Sequence, residues 1–202
     1  MKRIVLVLIF ALITTVVLFA QGISFGVKAG INLANQKISG VDYEDPDDVK
    51  SLIGFNGGLF LTYMFSEKLG VQPELLYSSG GSTSSWGTEE YTDKLGYLTL
   101  PVLFRYNINE MISLNVGPQF GFLLSATEEY LDSSESIKED FKGSDIAAAF
   151  GVEVDLPSKV GFGARYTTGF SDIVKTESSW AGYEIKNSAF QIYVKYRIKG
   201  EK

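Results

Sequence analysis

The 202-residue chain has no cysteine and no histidine. Without cysteine there are no disulfides and no thiolate nucleophile, so stability after export rests on backbone hydrogen bonds and packing. Without histidine the chain lacks the usual general base of Ser and Cys hydrolases and the commonest transition-metal ligand. Long apolar runs are also missing: after residue 22 no stretch is apolar enough, for long enough, to form a membrane helix. From these absences we expect no enzyme and assign no catalytic residue, no cofactor and no metal ligand.

What the chain does have begins at its N-terminus. Met1, Lys2 and Arg3 precede an uncharged, largely apolar stretch from Ile4 to Ala20, and the pattern changes at Gln21 and Gly22. This is the profile of a cleaved signal peptide over residues 1–20, with a single mature domain over 21–202. The rival reading is an anchoring helix, since 17 residues is at the short end of a bilayer span. No cysteine follows the stretch, which excludes a lipid-anchored lipoprotein. Removal of Lys2 and Arg3 leaves 16 basic and 24 acidic residues, a net charge of −8, and such a surface repels nucleic acid.

Downstream, apolar residues alternate with small or polar ones in eight blocks, near 23–33, 55–65, 71–78, 97–108, 114–124, 146–154, 160–167 and 190–198. A period of two means strands. Connections near 66–69, 107–112 and 156–159 are short. Those near 34–53, 80–94, 126–144 and 169–186 are long and polar. Tight turns at one end and long loops at the other give an all-β fold: an eight-stranded antiparallel up-and-down transmembrane β-barrel, its short turns in the periplasm.

Alternation alone also fits a soluble lipocalin-like barrel with its apolar face turned inward. Glycine separates the two readings. Gly26, Gly30, Gly58, Gly117, Gly121, Gly151, Gly161 and Gly163 all share the polar face, and the apolar face carries only Gly57. Glycine belongs where space is short, and an eight-stranded barrel has an interior just wide enough for side chains. The polar face therefore points inward. It carries Lys28, Glu74, Arg105, Glu153, Arg165, Lys195 and Arg197, charges of both signs that form an expected ionic network in the lumen. On the other face, Tyr63, Phe65, Tyr77, Tyr106, Tyr166 and Tyr196 suit aromatic belts at the headgroup level.

The four long connections hold 17 of the 24 acidic residues and only 7 basic ones, a net charge of −10 on one rim. Asp42, Glu44, Asp45, Asp47 and Asp48 form the densest cluster. It lacks the spacing of an EF-hand loop and is read as solvated, as are Glu128, Glu129, Asp132, Glu135, Glu139 and Asp140. Trp86 and Trp180 are candidate loop contacts.

The segments GVKAGIN from Gly26, VQPELLYSS from Val71 and YLTLPVLFRY from Tyr97 resemble the outer-membrane β-barrel domain family often labelled porin family protein, related to PorT-like barrels. The overall form is similar to OmpX-type and OmpA-type barrels. The resemblance spans nearly all of the mature chain. It implies residence in the cell outer membrane, contact with its lipid, and insertion by the barrel-assembly machinery, and it carries no catalytic motif. Phe190, Ile192, Val194, Tyr196 and Ile198 fit the final-strand pattern, although Lys199 to Lys202 depart from barrels that end on an aromatic residue. The expected role is a non-catalytic barrel holding acidic loops for contact with an extracellular or envelope partner. The alternative is a narrow path for small solutes, since open aqueous channels need about 16 to 18 strands.

Overall fold

A computed structural model describes residues 22–40, 48–86, 89–131, 133–177 and 182–200. The leader reading, Trp180, Asp132 and four of the five clustered acids (Asp42, Glu44, Asp45 and Asp47) fall outside these residues, as do the side chains of Asp48 and Trp86.

Among the described residues nine strands form, in the order β1 (Ile23–Gly40), β2 (Asp48–Met64), β3 (Leu69–Trp86), β4 (Glu89–Asn107), β5 (Ile112–Tyr130), β6 (Ser133–Ser136), β7 (Ser144–Asp155), β8 (Val160–Gly169) and β9 (Tyr183–Lys199). All pairings are antiparallel. β1 pairs with both β2 and β9, and β4 with β5, so eight strands close into a ring. β6 is an addition, hydrogen-bonded along β5 from Thr127↔Ser136 to Tyr130↔Ser133. Closing the ring removes the open sheet edges that hydrocarbon would not tolerate.

The facing of each strand follows its alternation. On β4, Phe104 is 64% exposed while its neighbour Leu103 is 0% exposed, and the same step repeats around the ring. Ile31, Leu59, Leu75, Val116, Phe150 and Ile192 stand outside, and Lys28, Gln72, Glu74, Asn115, Glu153 and Lys195 are buried inside. The apolar face is the outer one, which rules out the lipocalin-like alternative. Glycine makes the room: a Cβ on Gly163 would lie 2.3 Å from the Tyr193 ring, and one on Gly161 would lie 2.7 Å from the Lys195 stem.

The expectation of long polar loops is corrected. β1 to β5 and β9 run 17–19 residues, well beyond the nine to eleven that cross a membrane. Much of 34–53, 80–94 and 126–130 is therefore strand, continuing into water because the backbone ladder needs no lipid to persist. Pairings such as Ser51↔Ser82, Ser82↔Asp93, Asp93↔Glu128 and Glu128↔Glu135 join β2 to β6 into one sheet above the bilayer. β7 and β8 stop at 12 and 10 residues, so the wall is low on that side.

Candidate functional site

Four levels of the interior follow from the register, starting at the short-turn end. Lowest is a vestibule of about 610 Å³ lined by Lys68, Arg105, Asp155, Lys159, Lys195 and Arg197 among others. Above it lies a charged plug. β1 supplies Lys28, β3 Glu74 and β8 Arg165, and all three side chains are fully buried. Lys28 donates to Glu74 at 2.9 Å, and Arg165 meets the same carboxylate with two N–H groups, each at 2.8 Å. A second group forms around Glu153 of β7, which binds Arg105 at 2.6 Å and also Lys195. Asp155 joins it, bound to Arg105 and, at 3.0 Å, to Lys195.

Gln72 links the two groups. Its amide donates to Glu74 at 2.8 Å and to Glu153 at 3.1 Å, and its carbonyl oxygen accepts from Arg105 at 3.2 Å and Thr62 at 3.0 Å. The Tyr193 hydroxyl donates to Glu153 at 2.8 Å, while the Lys28 ammonium sits 3.6 Å from the Tyr193 ring centre. Four cations face three carboxylates, a formal +1. Each carboxylate is bound to at least two cations. Such mutual engagement offsets the cost of stripping water from every member.

Six of the seven charges expected in the lumen thus meet, and Arg197 stands apart in the vestibule. Asp155, Gln72 and Tyr193 complete the plug. Parity pointed to them, since Asp155 is one step past Val154 on the inward register and the other two lie on the polar face.

The third level is a polar chamber of about 60 Å³ bordered by Asn32, Tyr97, Thr99, Asp145, Asn187 and Gln191 among others. Asn187 donates to Asp145 at 3.0 Å and to the Tyr97 hydroxyl at 3.3 Å.

The fourth level is an apolar roof. Leu95, Tyr97, Leu123, Ala126 and Ile185 from the wall pack with Phe141, Ile173 and Val174 from the segments that flank the low wall. Phe141 bridges Val174, the Lys142 N–H donates to the Ile173 carbonyl at 2.7 Å, and the Ile173 N–H donates to the Ile185 carbonyl at 2.9 Å. Asp172 staples this fold-over, accepting from Lys142 at 2.7 Å, Ile185 at 3.0 Å and Val174 at 3.1 Å. Partial burial opposes ionisation there, but the Lys142 contact and the two backbone N–H groups hold the carboxyl below its usual range.

Outside the membrane the rim is acidic. Asp93, Glu128 and Glu135 occupy one cross-strand row. Burial, with help from the Glu128 charge, pushes the Asp93 carboxyl up to about 7. Lys50–Glu90 at 2.8 Å and Lys94–Glu129 at 2.6 Å are exposed pairs of small energetic weight. Among the described residues no three acidic groups converge on one point.

A family model described as outer membrane protein beta-barrel domain matches residues 19–175. No curated protein matches the chain. Among solved structures, the attachment invasion locus protein Ail of Yersinia pestis superposes with a TM-score of 0.50 at 18% identity, covering 88% of this chain and 99% of that one. Neisserial surface protein A superposes at 0.52 with 14% identity, covering 87% and 99%. At such identities the likeness is one of fold. With a closed ring, an apolar exterior and a family match over most of its length, the chain belongs to the outer membrane protein beta-barrel domain family.

Proposed function

We propose that this protein is a non-catalytic outer-membrane anchor that holds a rigid acidic sheet outside the cell for contact with an extracellular or envelope partner. The observation that carries the reading is the continuation of β2 to β6 above the bilayer as one hydrogen-bonded sheet. A sheet fixed to a barrel presents its side chains without the ordering cost of a flexible loop. Its acidity favours a basic partner and speeds encounter at low salt. Ail, a protein named for attachment and invasion, shares the fold and lends this reading an analogy. Assembly by the barrel-assembly machinery, reading the apolar face of β9, belongs to the same proposal.

A solute path is the weaker reading, because the plug and the roof obstruct the axis at two levels. The test compares the native protein with a variant in which Glu90, Glu128, Glu129 and Glu135 are all Gln. Retained heat-modifiable gel migration with lost surface adhesion supports the anchor. Unchanged adhesion rejects it. Conductance in planar bilayers that appears on Arg105→Ala would favour a path, and silence in both forms would oppose one.

A further inference from the structure

The vestibule at the short-turn mouth has a charge opposite to that of the rim. It is lined by five cations, Lys68, Arg105, Lys159, Lys195 and Arg197, against three carboxylates, Glu67, Glu110 and Asp155. Two of the five cations are spent, since Arg105 and Lys195 are bound to Glu153 and Asp155. The other three are not: among the described residues, the Lys68, Lys159 and Arg197 side chains have no hydrogen bond or ion pair. Glu67 and Glu110 sit on exposed turns, as Lys68 and Lys159 do, and the lining as a whole keeps a formal +2.

The backbone that carries the free cations is held in place. Arg197 is half-buried on β9, and its N–H donates to the Lys159 carbonyl at 2.9 Å, joining that strand to the β7–β8 turn. The Lys68 carbonyl accepts from the Asn107 N–H at 2.8 Å, joining the β2–β3 turn to β4. Only the backbone beneath them is fixed; the Lys68 and Lys159 side chains are exposed and must be ordered by a ligand, whereas Arg197 is half-buried. The floor of the basin is the plug with its formal +1, and the walls are low in dielectric, which focuses the field along the axis. A guanidinium in such a setting is a fork suited to a planar carboxylate or a phosphate.

We propose that the vestibule is an anion-binding site that takes one phosphate or carboxylate group presented from the periplasm, with Arg197 as the principal ligand and Lys159 and Lys68 completing the charge. The group comes from a soluble anion or from the headgroup of an anionic lipid in the inner leaflet; the chemistry is the same. The site needs no opening of the plug, and it is independent of the reading of the acidic rim.

The test is a titration of the purified barrel in zwitterionic micelles with inorganic pyrophosphate, followed by amide NMR. Saturable shifts at Asn109, Lys159 and Arg197, with none at residues of the roof, are expected. Arg197→Gln should weaken binding by about tenfold, the loss of one charge-assisted contact. The exposed substitution Lys159→Gln should weaken it by a smaller factor, while Lys94→Gln on the opposite rim should leave it unchanged. Shifts that never saturate, or an affinity that survives Arg197→Gln and Lys159→Gln together, would overturn the site. Repeating the titration in nanodiscs identifies the source. Competition on replacing phosphatidylcholine with phosphatidylglycerol assigns a lipid headgroup, and its absence assigns a soluble anion.

Discussion

At the outer mouth, Phe141, Ile173, Val174 and Ile185 pack over the axis beneath a fringe of carboxylates; at the inner mouth there is a basin of about 610 Å³ fringed with lysine and arginine. The two ends of one barrel are finished by different physics. Within the bilayer the apolar side chains are already committed to lipid, so the interior is filled with paired ions and amides. Above it the same strands stand in water, where burying apolar surface becomes favourable again, and an oily cluster forms inside the ring. The side with short β7 and β8 leaves a gap, and 137–143 and 170–177 fold into it.

Several substitutions set these two regimes against each other. Glu153→Gln removes the carboxylate shared by Arg105, Lys195 and Tyr193 and should cost about 3–5 kcal/mol of barrel stability, read as the urea midpoint in vesicles, because buried cations lose their partner. A loss no larger than that of an exposed ion pair would mean that water relieves the plug. Ile173→Ala should cost about 2–4 kcal/mol, confined to the roof. Hydrogen exchange at Ile173 and Ile185 should speed up while the plug strands stay protected, and equal acceleration in both would show that the two levels unfold as one.

Asp172→Ala, which unpins the fold-over, should release about 1–2 kcal/mol in the same exchange measurement. Because that carboxyl is held below its usual range, its contribution is present above the unfolded pKa near 3.8 and fades as pH falls through the folded value.

Asp93 has the opposite sign. Its carboxyl is raised from 3.8 to about 7, so the folded rim binds the proton more tightly, and rim stability falls as pH rises between those values and is level above them. Asp93→Asn should flatten that slope in rim exchange rates, and a slope that persists would place its source elsewhere. Smallest of all, Lys94→Ala should change stability by less than about 1 kcal/mol, as expected for an exposed pair.

Most of the membrane-embedded half was legible in the sequence because a strict period of two leaves little choice once one face is buried in lipid. Lys28, Glu74, Arg105, Glu153, Arg165 and Lys195 could be placed on one face by parity, and on the inner one by the glycines that share it. How they partition into two groups could not, since that depends on barrel stagger, which brings Arg165 across to Glu74, 91 positions away. The roof escaped for another reason. Phe141, Ile173 and Val174 are a few apolar residues in charged segments without period, and such residues acquire meaning only when the wall beside them is seen to be short. Strand length was underestimated because polar residues such as Ser82 to Ser85 read as loop, although in antiparallel pairing they extend the ladder.

The roof has a thermal consequence. Its cohesion comes chiefly from water's rejection of hydrocarbon, a force that slackens in the cold, whereas the hydrogen-bonded staves below draw little from it. Chilling should therefore loosen the cap before it disturbs the cylinder, giving the molecule a hinge of temperature at one end only.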